Sequence, residues 1–204
     1  MLRFRACQRR VPAVRYSPEQ KTRNRERILD AAGALIKLRG FAATGVDALM
    51  AASGLTAGAF YSNFRSKAEF LGALVDREMG SSVLRFEVAS AAEAKACFAA
   101  YLSRAHVEQP EQGCILPALS AEVARSDATV RGAFERRLLE VHAGTVRQTR
   151  DEALAWSLLA QAVGGVMLAR AAQSPDTRRS ILKSLRTCID EAIDAHESRT
   201  GSNT

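Results

Sequence analysis

Residues 44–67 read TGVDALMAASGLTAGAFYSNFRSK and contain two short helix signals separated by a tight turn. In the first signal, apolar and small residues recur at helical spacing, at positions 46, 49, 50 and 53. Gly54 stands where this helix must end, because glycine adopts the left-handed conformation that such a turn requires. Thr56 can then cap a second helix over residues 57–64. The pattern predicts a helix-turn-helix whose second helix faces a DNA groove.

Capping signals bound the helices around this motif. Ser17 followed by Pro18, with Gln20 three residues after the cap, predicts the start of a first helix over residues 18–39. Thr44 is expected to cap the next helix, and Asp47 to complete its capping box. The sequence thus predicts a three-helix domain around the turn.

Composition predicts an all-α protein. The 204 residues are 47% hydrophobic and 25% charged, include only five prolines, and show no run with a β-strand period. A chain of this length and composition can bury a core in one or two small domains. No apolar stretch approaches the roughly 18 residues that a membrane helix needs, so we expect a soluble protein without a membrane partner.

Positive charge is concentrated in the N-terminal third. The net charge is +7, but residues 1–70 carry 13 Lys and Arg against 5 Asp and Glu, whereas residues 71–204 carry 16 against 17. A segregated positive field is typical of a phosphate-binding domain, since neutralising phosphates releases condensed counterions. The charge distribution supports double-stranded DNA as the partner of the helix-turn-helix.

Residues 1–16 contain five arginines and no acidic residue. They lack the apolar core of a secretory signal. A flexible arm that lays arginines on DNA, a solvated tail, an organellar transit peptide and a mis-assigned translation start all fit this string, and these alternatives stay open.

Residues 23–70 resemble the DNA-binding domain of TetR/AcrR-family transcriptional regulators. The matching positions are ILDAA at 28–32, Gly40, Phe41, Thr44, Val46, ASGLT at 52–56, Gly58, Phe60, Tyr61, Phe64 and Lys67. The resemblance implies an N-terminal three-helix DNA-binding domain followed by a larger helical ligand-binding and dimerisation domain. It covers about a quarter of the chain.

The resemblance also implies which residues contact DNA. In that family, the positions that contact the DNA backbone match Thr44, Thr56, Tyr61 and Lys67. The positions that face the bases match Ala57 and Gly58. Two departures concern Gly45, where a Ser or Thr is usual, and Asn63, where His is common. The expected DNA-binding residues are Thr44, Gly45, Thr56, Ala57, Gly58, Tyr61, Asn63 and Lys67.

We expect four segments along the chain: a basic arm at 1–16, the DNA-binding domain at 17–66, the ligand-binding and dimerisation domain at 67–196 and a polar tail at 197–204. Predicted helices in the third segment cover 67–79, 91–108, a stretch from Gly113 to about Arg125, a stretch from Asp127 through His142 or beyond, 151–173 and 177–196.

The last two predicted helices, 151–173 and 177–196, are apolar over broad faces. Paired between two subunits they would form a four-helix interface, the arrangement that the resemblance implies. The alternative is that they close the core of a monomer. A two-fold homodimer would present two recognition helices to a palindromic operator.

A small-molecule pocket is expected in the larger domain. Its candidate lining residues are Phe98, Tyr101, Cys114, Leu119, Phe134, Leu138 and Trp156, although each also fits a packed core. Cys114 carries a sharper hypothesis, because a thiol near a helix start can react with electrophiles or oxidants. Its alternative role is that of a small buried residue chosen for packing.

No pattern supports catalysis. His106, His142 and His196 are far apart and lack metal-ligand spacing, and no phosphate-cradling loop or nucleophile motif occurs. The four cysteines are widely spread, which favours a reducing compartment, and we expect a cytoplasmic protein. We therefore expect no catalytic residue, no metal and no cofactor.

Three functions are compatible with these observations. The first is a ligand-responsive repressor that a small, largely apolar molecule releases from a palindromic operator. The second is a repressor of the same fold that senses oxidants or electrophiles through Cys114. The third is a helical enzyme or interaction protein with an incidental helix-turn-helix.

Overall fold

The computed structural model describes residues 17–83 and 90–201, with side chains described except at 81–83 and 200–201. Within those ranges the chain is helical and contains no strand, which confirms the all-α prediction. The expected arm at 1–16 lies outside the described residues. The helices are α1 (Pro18–Arg39), α2 (Val46–Ser53), α3 (Ala57–Asn63), α4 (Lys67–Val83), α5 (Ala91–Tyr101), α6 (Arg104–Glu108), α7 (Leu116–Val123), α8 (Ala128–Thr149), α9 (Glu152–Ala171) and α10 (Pro175–Gly201), with a 3₁₀ turn at Pro110–Gln112.

The first helix and the turn between the next two follow the sequence signals. The Ser17 hydroxyl accepts the N–H of Gln20 at 3.2 Å, and Pro18 occupies the first helical position. Gly54 adopts a left-handed conformation with φ of 65° and ends α2. These features confirm a helix-turn-helix formed by α2 and α3.

Thr44 does not cap α2, so the predicted capping box with Asp47 is wrong. The N-cap residue is Gly45, and no side chain caps this helix. The Thr44 side chain is buried, and its hydroxyl donates to the carbonyl of Gly40 at 2.6 Å. The Gly40 carbonyl lies at the end of α1 and is free to accept this hydrogen bond. Thr44 therefore closes the turn after α1 instead of capping α2.

Several helix boundaries in the larger domain differ from those predicted. α4 continues past Gly80, because it lies along α8 and buries Val75 and Met79, which outweighs the ~1 kcal/mol cost of a helical glycine. The helix predicted at 91–108 is broken after Tyr101, where Ser103 caps α6 by accepting the N–H of His106 at 3.2 Å. α10 extends to Gly201, beyond the predicted end.

Two apolar clusters hold the structure together. The first joins the helix-turn-helix domain to α4, α7 and α8, with Phe60, Phe64 and Phe70 in mutual ring contact at its centre. The second joins α5 and α8 to α9 and α10. Tyr101 packs against both clusters. Movement of Tyr101 would therefore disturb the packing of both clusters.

α9 is long and apolar enough, by length and composition alone, to cross a membrane, with a mean hydropathy of 1.4 over its best window. The expectation that no stretch approaches this length was therefore too strong. α9 contacts α6, α7, α8 and α10, and seven of its residues are buried. Those contacts are typical of the core helix of a helical bundle.

Candidate functional site

The first candidate site is the exposed surface at the start of α2 and along α3. Gly45, Thr56, Ala57, Gly58 and Tyr61 are all exposed, so five of the eight expected DNA-binding residues are accessible from solvent. The Thr56 side chain makes no capping hydrogen bond to α3. Tyr61 is 66% exposed and rests against the Phe60 ring, with a centroid distance of 5.3 Å. This surface presents the Thr56 and Tyr61 hydroxyl groups beside Ala57 and Gly58, whose side chains are small or absent.

The other three expected DNA-binding residues make contacts within the protein. Thr44 is buried, as described above. The Asn63 side-chain amide donates to the Ala59 carbonyl at 2.7 Å. The Lys67 ammonium donates to the Phe41 carbonyl at 3.4 Å and lies 4.5 Å from the centroid of the Phe41 ring. Lys67 is half-buried, and both it and Thr44 support the turn at residues 40–44, which precedes α2.

A carboxylate from the larger domain holds the same turn. Glu122 on α7 accepts the backbone N–H of Phe41 at 3.0 Å through one oxygen and that of Ala42 at 2.9 Å through the other. Lys37 makes a second link, since its ammonium forms a 2.8 Å ion pair with Glu78 and donates to the Gly113 carbonyl at 3.2 Å. Residues 113–122 are thus attached to the DNA-binding domain at both ends.

The second candidate site is a groove of about 630 Å³ between the outer face of α5, α6 and the segment before α7. Its lining residues are Glu93, Ala96, Cys97, Ala100, Tyr101, Ala105, His106, Gln109, Gln112, Gly113 and Cys114. The alanines give it an apolar wall. The size and lining are suited to a small organic molecule.

His106 joins the two walls of the groove. Its Nδ1 lies 2.6 Å from the Tyr101 carbonyl, and its Nε2 accepts the backbone N–H of Cys114 at 2.9 Å. A carbonyl only accepts, so the neutral ring carries its hydrogen on Nδ1. A side chain at Gly113 would collide with this ring, because a Cβ there would lie 2.4 Å from His106 Cδ2. Glycine at 113 thus lets the imidazole reach Cys114.

Cys114 lies just before α7. The Leu116 N–H donates to the Cys114 sulfur at 3.4 Å, so the sulfur receives one of the first amides of α7. The side chain is buried, at 6% exposure, whereas Cys97 across the groove is half-buried. Neither cysteine forms a disulfide. Two thiols therefore line one groove.

Tyr101 and Arg170 form the polar end of this region. Burial raises the pKa of the Tyr101 hydroxyl well above its ordinary value, and the neighbouring Cys114 thiol raises it further. Burial also lowers the pKa of the Arg170 guanidinium, while its attraction to Tyr101 and Cys114 opposes that change. Arg170 Nη2 donates to the His106 carbonyl at 2.8 Å, which fixes the guanidinium behind the groove wall.

The structure brings only two of the predicted pocket residues, Tyr101 and Cys114, to this groove. Phe98 and Leu119 are buried in the two apolar clusters, and Leu138 packs against the first cluster. Phe134 lines a separate groove between α7 and α8. Trp156 is 40% exposed and stacks on His142, with ring centroids 4.0 Å apart.

Sequence reasoning missed His106, Gly113, Arg170 and Glu122. His106 was considered only as a metal ligand, and no group of three His, Cys, Asp or Glu side chains in the described part of the chain is arranged to hold a metal. Gly113 followed by Cys114 was a usable signal, because glycine beside a functional side chain often marks close approach. Arg170 and Glu122 are charged residues in helices whose neighbours are distant in sequence.

The C-terminal helices expose apolar and small side chains. On α9, Trp156, Met167 and Leu168 are exposed, with Leu168 at 62%. On α10, Ser184 and Cys188 are exposed. α9 and α10 pack on each other within the chain. The exposed surfaces of α9 and α10 are adjacent, as the packing of two copies into a four-helix bundle requires.

Comparison with known proteins agrees with this architecture. Residues 28–74 match the family model of bacterial regulatory proteins, tetR family. The chain is similar to the reduced form of E. coli NemR (22% identity, TM-score 0.65, covering 81% of this chain and 96% of that one). It is also similar to TetR-family regulators from Agrobacterium tumefaciens (17%, 0.67, 83% and 98%) and Chloroflexus aurantiacus (24%, 0.66, 84% and 96%). No curated protein matches the sequence.

Proposed function

We propose that this chain, which is a TetR-family transcriptional regulator, is a homodimeric repressor that leaves a palindromic operator when a small, mainly apolar molecule binds. The attachment of residues 113–122 to the DNA-binding domain at both ends carries this proposal. Residues 17–66 are the proposed DNA-binding domain and residues 67–196 the proposed ligand-binding and dimerisation domain. The family and fold are those of regulators, and we place the protein in the cytoplasm.

DNA binding is assigned to the exposed surface at α2 and α3. Thr56 and Tyr61 would donate hydroxyl hydrogen bonds to phosphates, and Ala57 and Gly58 would let the backbone of α3 approach the groove floor. Gly45 and Asn63 lie beside them and are assigned secondary contacts. Thr44 acts by supporting the turn, since its hydroxyl is engaged with Gly40. Few long side chains reach from this surface, so we expect specificity to depend partly on DNA shape and dimer spacing.

Release from DNA would begin at the groove. A molecule seated between α5 and Cys114 pushes on the segment that leads into α7, and Glu122 passes that displacement to Phe41 and Ala42 before α2. Lys37 opposes the movement at the other end of the segment. Two arrangements of this segment would then differ in DNA affinity, and DNA must weaken effector binding by the same factor.

Dimerisation is assigned to α9 and α10, close to the predicted stretches 151–173 and 177–196. A pair of helices from each subunit would cover Leu168 and Met167 on α9 and the small residues of α10. Covering exposed apolar side chains stabilises association by about 25 cal/mol per Å². The resulting two-fold axis relates the two recognition helices, which matches the symmetry of a palindromic operator.

A second candidate function is oxidant or electrophile sensing through Cys114. The supporting observation is that Cys114 and Cys97 line the same groove, while the Cys114 sulfur receives an amide of α7. A similar structure is named as the reduced form of E. coli NemR, which is a statement about that protein. Operator release by a hydroperoxide or a quinone that is lost in C114S would support this candidate. Release that is unchanged in C114S would refute it.

The proposed function is tested by fluorescence anisotropy with labelled DNA from the region beside the protein's own gene. We expect saturable binding with two protomers per site and an affinity that falls steeply with salt. Binding that does not saturate, or that is equal for this DNA and for random DNA of the same length, would contradict the proposal.

A further inference from the structure

Two buried hydrogen-bond donors beside the groove have no nitrogen or oxygen acceptor among the described residues. No described residue accepts a hydrogen bond from Arg170 Nε–H, and the Tyr101 hydroxyl has only the weak sulfur acceptor of Cys114. A buried donor without an acceptor costs about 1–3 kcal/mol. Two such donors near each other therefore favour a shared acceptor.

The charge at this place is also uncompensated. Arg170 forms no ion pair with any carboxylate among the described residues, and Glu111 acts on it only at longer range. Within residues 17–83 and 90–201, the hydrogen bond of Arg170 is to a neutral carbonyl, that of His106. Buried guanidinium groups are normally paired with an anion. The acceptor that suits Arg170 and Tyr101 together is thus an anion with two oxygens.

We propose that the effector is an amphipathic carboxylate, whose carboxylate is held by Arg170 Nε and the Tyr101 hydroxyl while its hydrocarbon part lies along the alanine wall of the groove. This inference rests on the proposed function, because it names the chemical class of the effector. One carboxylate oxygen accepts the guanidinium N–H and the other the phenol O–H. The molecule remains mainly apolar, with a single charged end.

The shape of the groove suits such a molecule. Ala96, Ala100 and Ala105 line the groove, and a hydrocarbon chain or ring packed against them loses contact with water. Gly113 also lines the groove and has no side chain, and a Cβ there would stand 3.0 Å from Arg170 Nη2. Only the bare backbone at Gly113 therefore separates this part of the guanidinium from the groove.

The groove also discriminates against other classes. A cationic amine in place of the carboxylate would meet the half-buried Arg170 guanidinium with like charge, which is unfavourable even though the exposed Glu93 carboxylate also lines the groove. A neutral amide of the same length would supply one carbonyl acceptor. Its NH₂ group, however, only donates and cannot accept a hydrogen bond from Arg170 or Tyr101. A carboxylate is therefore favoured over its amide, and a hydrogen bond to a charged group contributes about 1.5–3 kcal/mol.

Isothermal titration calorimetry on the full chain tests this selectivity. The probes are octanoate, decanoate and 4-phenylbutyrate, each compared with its primary amide at pH 7.5. We expect at least one carboxylate to bind one site per protomer and to exceed its amide at least tenfold in affinity. Equal affinity for acid and amide in every pair, or no binding of any acid at millimolar concentration, would overturn the inference.

Variants locate the contact. R170M is expected to weaken carboxylate binding by about 10- to 100-fold and amide binding little, and Y101F to weaken it by roughly 3- to 10-fold while keeping the ring. R178M is the matched control, since Arg178 also donates to one carbonyl, that of Ala172, at 2.8 Å, but lies on α10 away from the groove. If R170M is too unstable to measure, R170K retains the charge without Nε–H and should still lower affinity. Carboxylate binding unchanged in both Y101F and the Arg170 variant would refute the assignment.

DNA binding is measured separately so that the two proposals fail in different ways. Carboxylate binding that depends on Arg170, in a protein that does not bind DNA, would support the inference and contradict the repressor function. Operator release by the neutral amides, equal in wild type and R170M, would support the repressor function and contradict the inference.

Discussion

The carboxylate of Glu122 on α7 accepts the backbone N–H of Phe41 at 3.0 Å, and its second oxygen accepts that of Ala42 at 2.9 Å. These residues are about eighty positions apart in sequence and belong to different parts of the molecule. At the same turn, Lys67 donates to the Phe41 carbonyl. Contacts from α7 and from α4 therefore both hold the turn before α2. Movement of either helix would shift the surface formed by α2 and α3.

Replacing Glu122 by alanine tests this attachment. Two hydrogen bonds to a charged acceptor are lost, so we expect the free energy of unfolding to fall by about 2 kcal/mol and the Phe41 and Ala42 amides to exchange hydrogen at least tenfold faster. Urea titration and hydrogen-exchange NMR measure the two effects. E135A, at an exposed glutamate on α8, is the control. Unchanged exchange at both amides would show that the carboxylate does not hold the turn in solution.

Lys67 gives one ammonium N–H to the Phe41 carbonyl, and the other two donors of its ammonium are expected to supply phosphate affinity without sequence preference. K67M should weaken binding to operator and random DNA by similar factors and reduce the slope of log affinity against log salt by about 0.9, because one phosphate contact is lost. Anisotropy titrations at several salt concentrations give both values. K183M, at an exposed lysine on α10, should leave the slope unchanged. A loss confined to operators with one particular base pair would contradict this role.

The ion pair of Lys37 and Glu78, whose side chains are only partly exposed, makes a further stability prediction. The two side chains are 9% and 17% exposed and form a 2.8 Å ion pair, so K37M leaves a poorly solvated carboxylate. We expect a loss of roughly 3 kcal/mol in urea unfolding, and partial recovery in the double variant K37M/E78M, which removes both charges. K95M, which breaks an exposed pair with Asp194, should change the unfolding midpoint little. A double variant less stable than K37M would contradict the explanation.

Dimerisation through α9 is tested at Leu168. L168E places a charge on a side chain that is 62% exposed in the single chain and covered in the proposed interface. We expect the mass measured by light scattering to fall from that of a dimer to that of a monomer, with helicity unchanged. Leu38 on α1 is comparably exposed, at 55%, and L38E should remain dimeric. A dimeric L168E would place the interface elsewhere.

Local signals in the sequence predicted local structure well. Ser17, Asp127 and Gly54 mark helix ends through contacts within a few residues of themselves, and each does so in the structure. Thr44 was assigned wrongly because two backbone groups compete for one hydroxyl and only the chain geometry decides between them. The exposed surface at Thr56 and Tyr61 followed from the same local pattern.

The groove was harder to predict, because its parts are distant in sequence. His106 contacts Cys114 through a backbone amide, and Arg170 approaches both from α9. No periodicity encodes such contacts. Aromatic size suggested Trp156 for the pocket, yet its ring stacks on His142 in the outer part of the bundle. Apolar character alone does not separate a pocket wall from a core.

The central proposal, that a dimer of this chain binds a palindromic operator through α2 and α3, is tested most directly by DNase I footprinting of the DNA beside the protein's own gene. We predict one protected segment with two-fold symmetric sequence, half-sites about one helical turn (~34–36 Å) or its multiple apart, and loss of protection with Y61A. Uniform protection without a bounded segment, or an identical footprint with Y61A, would contradict the account.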